Sequence, residues 1–421
     1  MNPGAASRQS CKGEQGMLTK GWKSMMAGAA ALLAGTILAT SAARADDEIK
    51  VGILHSLSGT MAISESVLNK TVHMMIDAQN KKGGLLGKKL VAVEVDPASN
   101  WPLFAEKAHE LLEKDKVAVV FGCWTSVSRK SVLPVFEQDN GLLFYPVQYE
   151  GEEESKNIFY TGAAPNQQAI PAVDYLAGAQ GGSVKRWVLE GTDYVYPRTT
   201  NRILRAYLLS KGVPASDIME NYTPFGFSDW QTEVAKIKQF GSAGKKTAVI
   251  STVNGDANVP FYKELANQGI KASDIPVMAF SVGEQELSGI DTSNLVGHLA
   301  AWNYFESVKG KANAAFIKHW HTFTGDPKAV TNDPMEATYT GFTMWTQAVK
   351  KAGTTDVDKV RIAMIGQTAL APSGYVEKML PDHHLSKPVM IGEIRADGQF
   401  NVVYKTPKTV DGDPWSPFIP H

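Results

Sequence analysis

Cysteine is nearly absent: 421 residues hold two, Cys11 and Cys123. Cys11 falls in a leader-like N-terminus, so a chain trimmed there keeps Cys123 alone and can form no internal disulfide. Cys123 follows an apolar run without any nucleophile signature around it, which makes a packed thiol the expectation. A charge excess is also lacking, the formal net charge being −1. Five basic groups (Arg8, Lys12, Lys20, Lys23, Arg44) and one acid (Glu14) sit in the first 45 residues, which leaves a mildly acidic body with no basic cluster. Nucleic acid is therefore excluded as a partner. The signatures G-x-S-x-G, Walker A, G-x-G-x-x-G and H-E-x-x-H are missing, so serine hydrolase, nucleotide-binding and zinc-protease chemistry have no foothold. Gly83-Gly-Leu-Leu-Gly-Lys88 has the wrong spacing for phosphate and reads as a helix stop and turn. His383-His384 and the pair His319 and His321 lack further ligands nearby, so no metal and no cofactor are expected, and no catalytic residue is assigned.

What is present begins with Lys20 and Lys23, ahead of the small-residue apolar run from Met25 to Thr40 and then Ala43-Arg-Ala45 before Asp46-Asp47. That order predicts a signal peptide over 1–45, cleaved after Ala45. The run is shorter than the roughly 18 residues of a membrane span. Cys11 precedes it, the wrong place for a lipid-modified N-terminal cysteine.

The remaining composition, 43% hydrophobic and 20% charged, is ordinary for a globular chain, and the length suits two domains. The stretch Val117-Ala-Val-Val-Phe-Gly-Cys-Trp-Thr-Ser126 is central. Its apolar, β-branched start predicts a strand covered on both faces, broken at Gly122, with Thr125, Ser126 and Ser128 available to cap a following helix. Further strands are predicted over 49–54, 89–95 and 142–145, alternating with helices. After a loop-like stretch over 151–171 the alternation resumes with strands over 184–189, 247–252 and 275–280. Ser228-Asp-Trp-Gln231 and Asp333-Pro-Met-Glu336 have capping-box spacing, and 389–404 reads as a hairpin turning at Asp397-Gly398. The expectation is two α/β lobes, each a parallel sheet between helices, with ligand loops at the strand carboxyl ends.

Several of those loops resemble the amide- and urea-binding members of the type I, branched-chain-amino-acid-like solute-binding proteins. The residues that carry the likeness are Gly122-Cys-Trp-Thr-Ser126, Tyr145-Pro-Val-Gln-Tyr-Glu-Gly151, Ala164-Pro-Asn-Gln167, Gly191-Thr-Asp-Tyr-Val-Tyr-Pro-Arg198, Asn254-Gly-Asp256, Asn332-Asp-Pro-Met-Glu-Ala337 and His383-His-Leu-Ser-Lys387. The resemblance runs from Ile49 to Pro417 and is strongest to the urea-binding branch. It implies the periplasmic binding protein-like type I fold, two Rossmann-like lobes joined by a three-crossover hinge near Ala164, Val296 and Leu370. Lobe 1 would then comprise 46–164 and 297–370, and lobe 2 165–296 and 371–421. It also implies a periplasmic monomer that captures urea between its lobes and hands it to the permease subunits of an ABC importer in the inner membrane, without chemistry of its own.

Urea is flat and neutral, with one carbonyl and four N–H hydrogens, so a dry cleft must match each group or lose roughly 1–3 kcal/mol per unmatched one. By position, Ser126 and neighbouring N–H groups are expected to donate to the carbonyl. The Gln148 side chain, the Tyr145 carbonyl and Asn254 are expected to accept from the amides. Trp124 and Tyr194 are expected to stack on the flat faces, with Thr125 and Glu336 as further candidates. Each has a plainer role open to it. Ser126 can cap its helix, Trp124 can be lobe packing, Tyr194 and Asn254 can shape turns, and Glu336 can complete a capping box. A short-chain amide or amino acid binder of the same fold is the alternative; an amide hydrolase built on Ser126 and a cytosolic amide sensor have less in their favour.

Overall fold

The computed structural model describes residues 48–420; the signal peptide expected over 1–45, its expected cleavage point and Cys11 lie outside them. Strands β1 (Glu48–Leu54), β2 (Lys89–Val95), β3 (Val119–Gly122), β4 (Leu143–Tyr145) and β5 (Ile158–Tyr160) form a wholly parallel sheet in the order β2-β1-β3-β4-β5. Helices α1 (Ala62–Lys81), α2 (Trp101–His109) and α3 (Ser126–Gln138) make its crossovers. Each residue of β3 is buried, as its unbroken apolar run requires.

The second lobe repeats the scheme. Helix α4 (Ala169–Ala177) leads into β6 (Arg186–Thr192), α5 (Val195–Ser210), β7 (Ile218–Thr223), α6 (Gln231–Gly241), β8 (Thr247–Thr252), α7 (Asn258–Asn267), β9 (Val277–Ala279), α8 (Glu284–Leu287) and β10 (Leu299–Trp302). The chain then returns to the first lobe with α9 (Lys311–Thr324), α10 (Asp333–Ala352) and α11 (Val357–Met364). There Phe342 and Trp345 of α10 lie against Phe121 of β3, with ring centroids 5.3 and 6.2 Å away. A small antiparallel sheet follows from β11 (Thr368–Leu370), β12 (Val376–Met379) and β13 (Leu385–Lys387), completed later by β16 (Val410–Asp411). Between them β14 (Met390–Ile394) and β15 (Phe400–Lys405) form the expected hairpin and extend the second sheet to the order β15-β14-β10-β9-β8-β6-β7.

Two of the three crossovers fall later than the sequence suggests. Strand β10 pairs with β9 and β14, so the chain stays in lobe 2 through Trp302 rather than leaving near Val296. Ala369, Met379 and Leu385 pack into the core of lobe 1, so the last crossover comes between Lys387 and Met390, not near Leu370. The three connections meet at one side chain. The Asn303 amide donates to the carbonyls of Gln167 at 3.1 Å and Pro388 at 2.7 Å, while its backbone N–H is held by Asp333 at 2.8 Å. Neither capping box forms. Trp230 occupies the N-cap of α6 with no side-chain cap, and Asn332 caps α10 by accepting from the Met335 N–H at 3.1 Å.

Candidate functional site

Open parallel sheets bind ligands beyond their strand carboxyl ends, where the next helix starts with unpaired N–H groups. In lobe 1 those ends carry Trp124 to Ser126 after β3 and Pro146 to Glu150 after β4; in lobe 2 they carry Tyr194 after β6, Asn254 after β8 and Ser281 after β9. The two sets are in contact, with the lobes closed on each other. Trp124 Nε1 donates to Asn254 Oδ1 at 3.4 Å, Gln148 Nε2 to Ser281 Oγ at 2.8 Å, and Ser64 Oγ to Glu286 Oε1 at 2.7 Å. Trp101 of lobe 1 meets Phe225 of lobe 2 with ring centroids 5.2 Å apart.

Thr125 is the N-cap of α3: its hydroxyl accepts from the Ser128 N–H at 3.1 Å and donates to Ser128 Oγ at 3.0 Å. Ser126 is thereby released from capping. Its hydroxyl instead donates to Glu150 Oε2 and accepts from Arg129 Nη1 at 3.1 Å. Arg129 is fully buried and bonds Glu153 at 2.7 Å and Glu150 at 3.1 Å. Burial works against that charge, but Glu153 and Glu150 outweigh it and hold the guanidinium firmly charged. Burial likewise opposes ionisation of Glu153, yet Arg129 and Lys130 bring its pKa down to about 2. The cation lies over the rings of Tyr145 and Tyr149, 4.8 and 4.6 Å from their centroids.

The two carbonyl-directed assignments need correction. Ser126 spends its hydrogen on Glu150 and has none for a ligand carbonyl. The Tyr145 carbonyl already accepts from the Thr161 N–H at 2.8 Å, the Thr161 hydroxyl at 3.3 Å and the Gly162 N–H at 3.4 Å, which occupies both its lone pairs; its hydroxyl donates to the Trp124 carbonyl. Asn254 is tied down as well, donating to the Thr252 carbonyl at 3.0 Å and receiving Trp124.

Tyr194 packs against Phe225 and Tyr196, with centroids 4.7 and 6.2 Å away. Burial, then the neighbouring Tyr145, Tyr196 and Glu150, push its hydroxyl well above the ordinary phenol range. Gln148 Oε1 is buried and has no hydrogen-bond partner among the described residues. Burial raises the pKa of the buried Tyr196 hydroxyl, while hydrogen bonding with Gln148 and Ser281 opposes that rise. Glu336 stands apart from these groups. It lies on α10 beside the hinge, where it accepts from Lys387 Nζ at 3.0 Å, with Glu377 3.7 Å from the same cation.

Sequence reading passed over Arg129, Glu150, Tyr196 and Ser281. The first two are charged residues 21 apart with no shared periodicity, and only the turn after β4 brings them together. Cys123 is buried and its thiol is pushed far up by burial, so it is no nucleophile at neutral pH. His384 stacks on Tyr160 with centroids 4.6 Å apart, and His383 Nδ1 lies 3.1 Å from the Ser155 carbonyl. Among the described residues no cluster of acids, histidines and cysteines could hold a metal, and no helix is long and apolar enough to cross a membrane.

Two α/β lobes, one on a parallel and one on a mixed sheet, three linked crossovers and a polar seam at facing strand ends define a two-lobed binding protein of the type I periplasmic class. The chain belongs to the periplasmic binding protein domain family, whose model matches residues 49–421. It is similar to a Leu/Ile/Val-binding protein homolog of Brucella melitensis, 34% identical over 116 residues, covering 26% of this chain and 27% of that one. A protein named limonene hydroxylase from Geobacillus stearothermophilus is 29% identical over 118 residues, covering 28% of this chain and 21% of that one. The chain thus spans about a quarter of the length of these curated relatives. In fold it is similar to a solute binding protein of an ABC transporter from Rhodopseudomonas palustris, solved with p-hydroxybenzoic acid. The TM-score is 0.75 at 22% identity, over 88% of this chain and 99% of that one.

Proposed function

We propose that this protein is an exported solute-binding protein that captures urea between its lobes in the periplasm and delivers it to the permease of an ABC importer. The observation that carries the choice of ligand is Gln148. Its amide bridges the lobes to Ser281, while its Oε1 is buried without a partner among the described residues. A buried lone acceptor costs about 1–3 kcal/mol, and a ligand N–H would offset that cost as the lobes close. On the lobe 1 side Glu150 and Glu153 are balanced by Arg129 and Lys130, as an uncharged solute needs. Closure over the solute is a hinge motion, and the closed form is what a permease would recognise. Calorimetric titration of the mature chain with urea, acetamide and leucine tests this. Urea should bind most tightly.

The second reading is a short-chain amide or amino acid binder. The Brucella homolog named for Leu/Ile/Val binding favours the amino acid form, although the matched segment is a quarter of either chain. Tighter binding of acetamide or leucine than of urea would make it the better account. The hydroxylase name belongs to a protein matched over 21% of its length and lends this chain no activity; incubation with urea should release no ammonia.

A further inference from the structure

We infer that Glu150, acting through Ser126, fixes the hydrogen-bond polarity of the cleft so that ligands are selected by how many N–H donors they present. The inference rests on the proposed amide-binding role and says which feature of the amide is read. A serine hydroxyl has one hydrogen and two lone pairs, and ordinarily rotates to suit its visitor. Ser126 cannot. Arg129 Nη1, 3.1 Å away, can only donate, so it occupies one lone pair; Glu150 can only accept, so it takes the hydrogen. Arg129 is itself clamped by Glu153 at 2.7 Å and Glu150 at 3.1 Å, so its N–H stays on the Ser126 oxygen and the charged Glu150 is the favoured taker of the hydrogen. Ser126 keeps a single lone pair to offer.

The other side chains of the seam are spent in the same sense. The Trp124 N–H goes to Asn254, the Tyr145 O–H to the Trp124 carbonyl, and a Gln148 amide hydrogen to Ser281. Gln148 Oε1 has no partner among the described residues, and the Ser126 and Tyr145 oxygens, having given their hydrogens away, can only accept; the Tyr196 hydroxyl, beside Gln148 and Ser281, is the donor that remains. Several acceptors and one donor are the complement of a molecule with several N–H groups and one carbonyl. Acetamide replaces one amino group with a methyl and strands an acceptor; a carboxylate has no N–H to give and meets chiefly lone pairs. Glu150 is a positioning residue in this scheme.

The test is calorimetry with urea, acetamide and acetate on wild type, Glu150→Gln, Ser126→Ala and the double variant, with melting temperatures recorded for each. Wild type should prefer urea to acetamide by about ten-fold or more, a stranded acceptor being worth that much, and should not bind acetate. Either single change should cut the preference to about three-fold or less, and the double variant should lose no more than the singles, because both act on one hydroxyl. If Glu150→Gln does not fold, Ser126→Ala alone decides. An unaltered urea preference in Ser126→Ala, or additive losses in the double variant, overturns the polarity role and leaves urea binding standing. Wild type that binds acetate as well as urea overturns the role too, and wild type that binds neither urea nor acetamide removes both the role and the functional reading.

Discussion

Gln148 of lobe 1 donates its amide to the Ser281 hydroxyl of lobe 2 at 2.8 Å, so one side chain both seals the lobes and offers its oxygen inside them. Gln148→Ala removes the seal and the acceptor together. Urea affinity should fall by more than ten-fold, about 1.4 kcal/mol or more, whereas Ser281→Ala, which leaves Oε1 in place, should cost less. Calorimetry on the two variants checks the order.

Asn303 joins all three connections between the lobes. Asn303→Ala leaves the buried carbonyls of Gln167 and Pro388 without that donor, and should lower stability by about 1–3 kcal/mol. Chemical denaturation measures the loss. Hydrogen exchange should quicken around residues 165–168 and 386–389 more than in either sheet.

Lys387 is a fully buried cation facing Glu336, Glu377 and Asp333. Lys387→Met strands those carboxyl groups and should cost about 3–5 kcal/mol near neutral pH. Burial, outweighing the attraction of Lys387, already raises the pKa of Asp333 to about 7, and burial together with Glu336 raises that of Glu377. Acid protonates both, so the variant's deficit should shrink at pH 5 and grow at pH 8.

Glu190 on β6 is wholly buried, and burial lifts its pKa to about 8 from the usual 4.5. A folded-state pKa above the unfolded one means the folded chain holds its proton longer. The stabilisation is therefore complete below pH 4.5 and is lost as pH rises toward 8, at about 1.4 kcal/mol per pH unit. Glu190→Gln, which has no proton to lose, should show a flatter stability profile and exceed wild type at pH 8. Melting temperature against pH reads this out.

Much of the sheet framework was legible because buried parallel strands leave apolar runs: 49–54 and 247–252 match β1 and β8 nearly residue for residue, and 89–95 matches β2, an edge strand that keeps a run of Leu90, Val91, Ala92 and Val93. Strand β7 was missed because it lies at a sheet edge, with a half-exposed, polar sequence (Ile218–Thr223). The small sheet was missed because β11, β12, β13 and β16 have two to four residues each and their pairing is set by distant packing. The crossover at Trp302 was misplaced because β10 reads as apolar in either lobe. In the site, residue types and loops were legible, but hydrogen-bond direction was not. That Ser126 gives its hydrogen to Glu150, and that Tyr145 offers a hydroxyl oxygen rather than its carbonyl, depends on neighbours brought in by turns.

The interleaving of the lobes also bears on time. Lobe 1 needs α10, whose Phe342 and Trp345 fill its core, and lobe 2 needs β14 and β15, drawn from residues 390–405. Neither half can finish until nearly the whole polypeptide is available, and contacts between such remote segments form slowly. For the exported protein proposed above, that delay would favour threading across a membrane before folding.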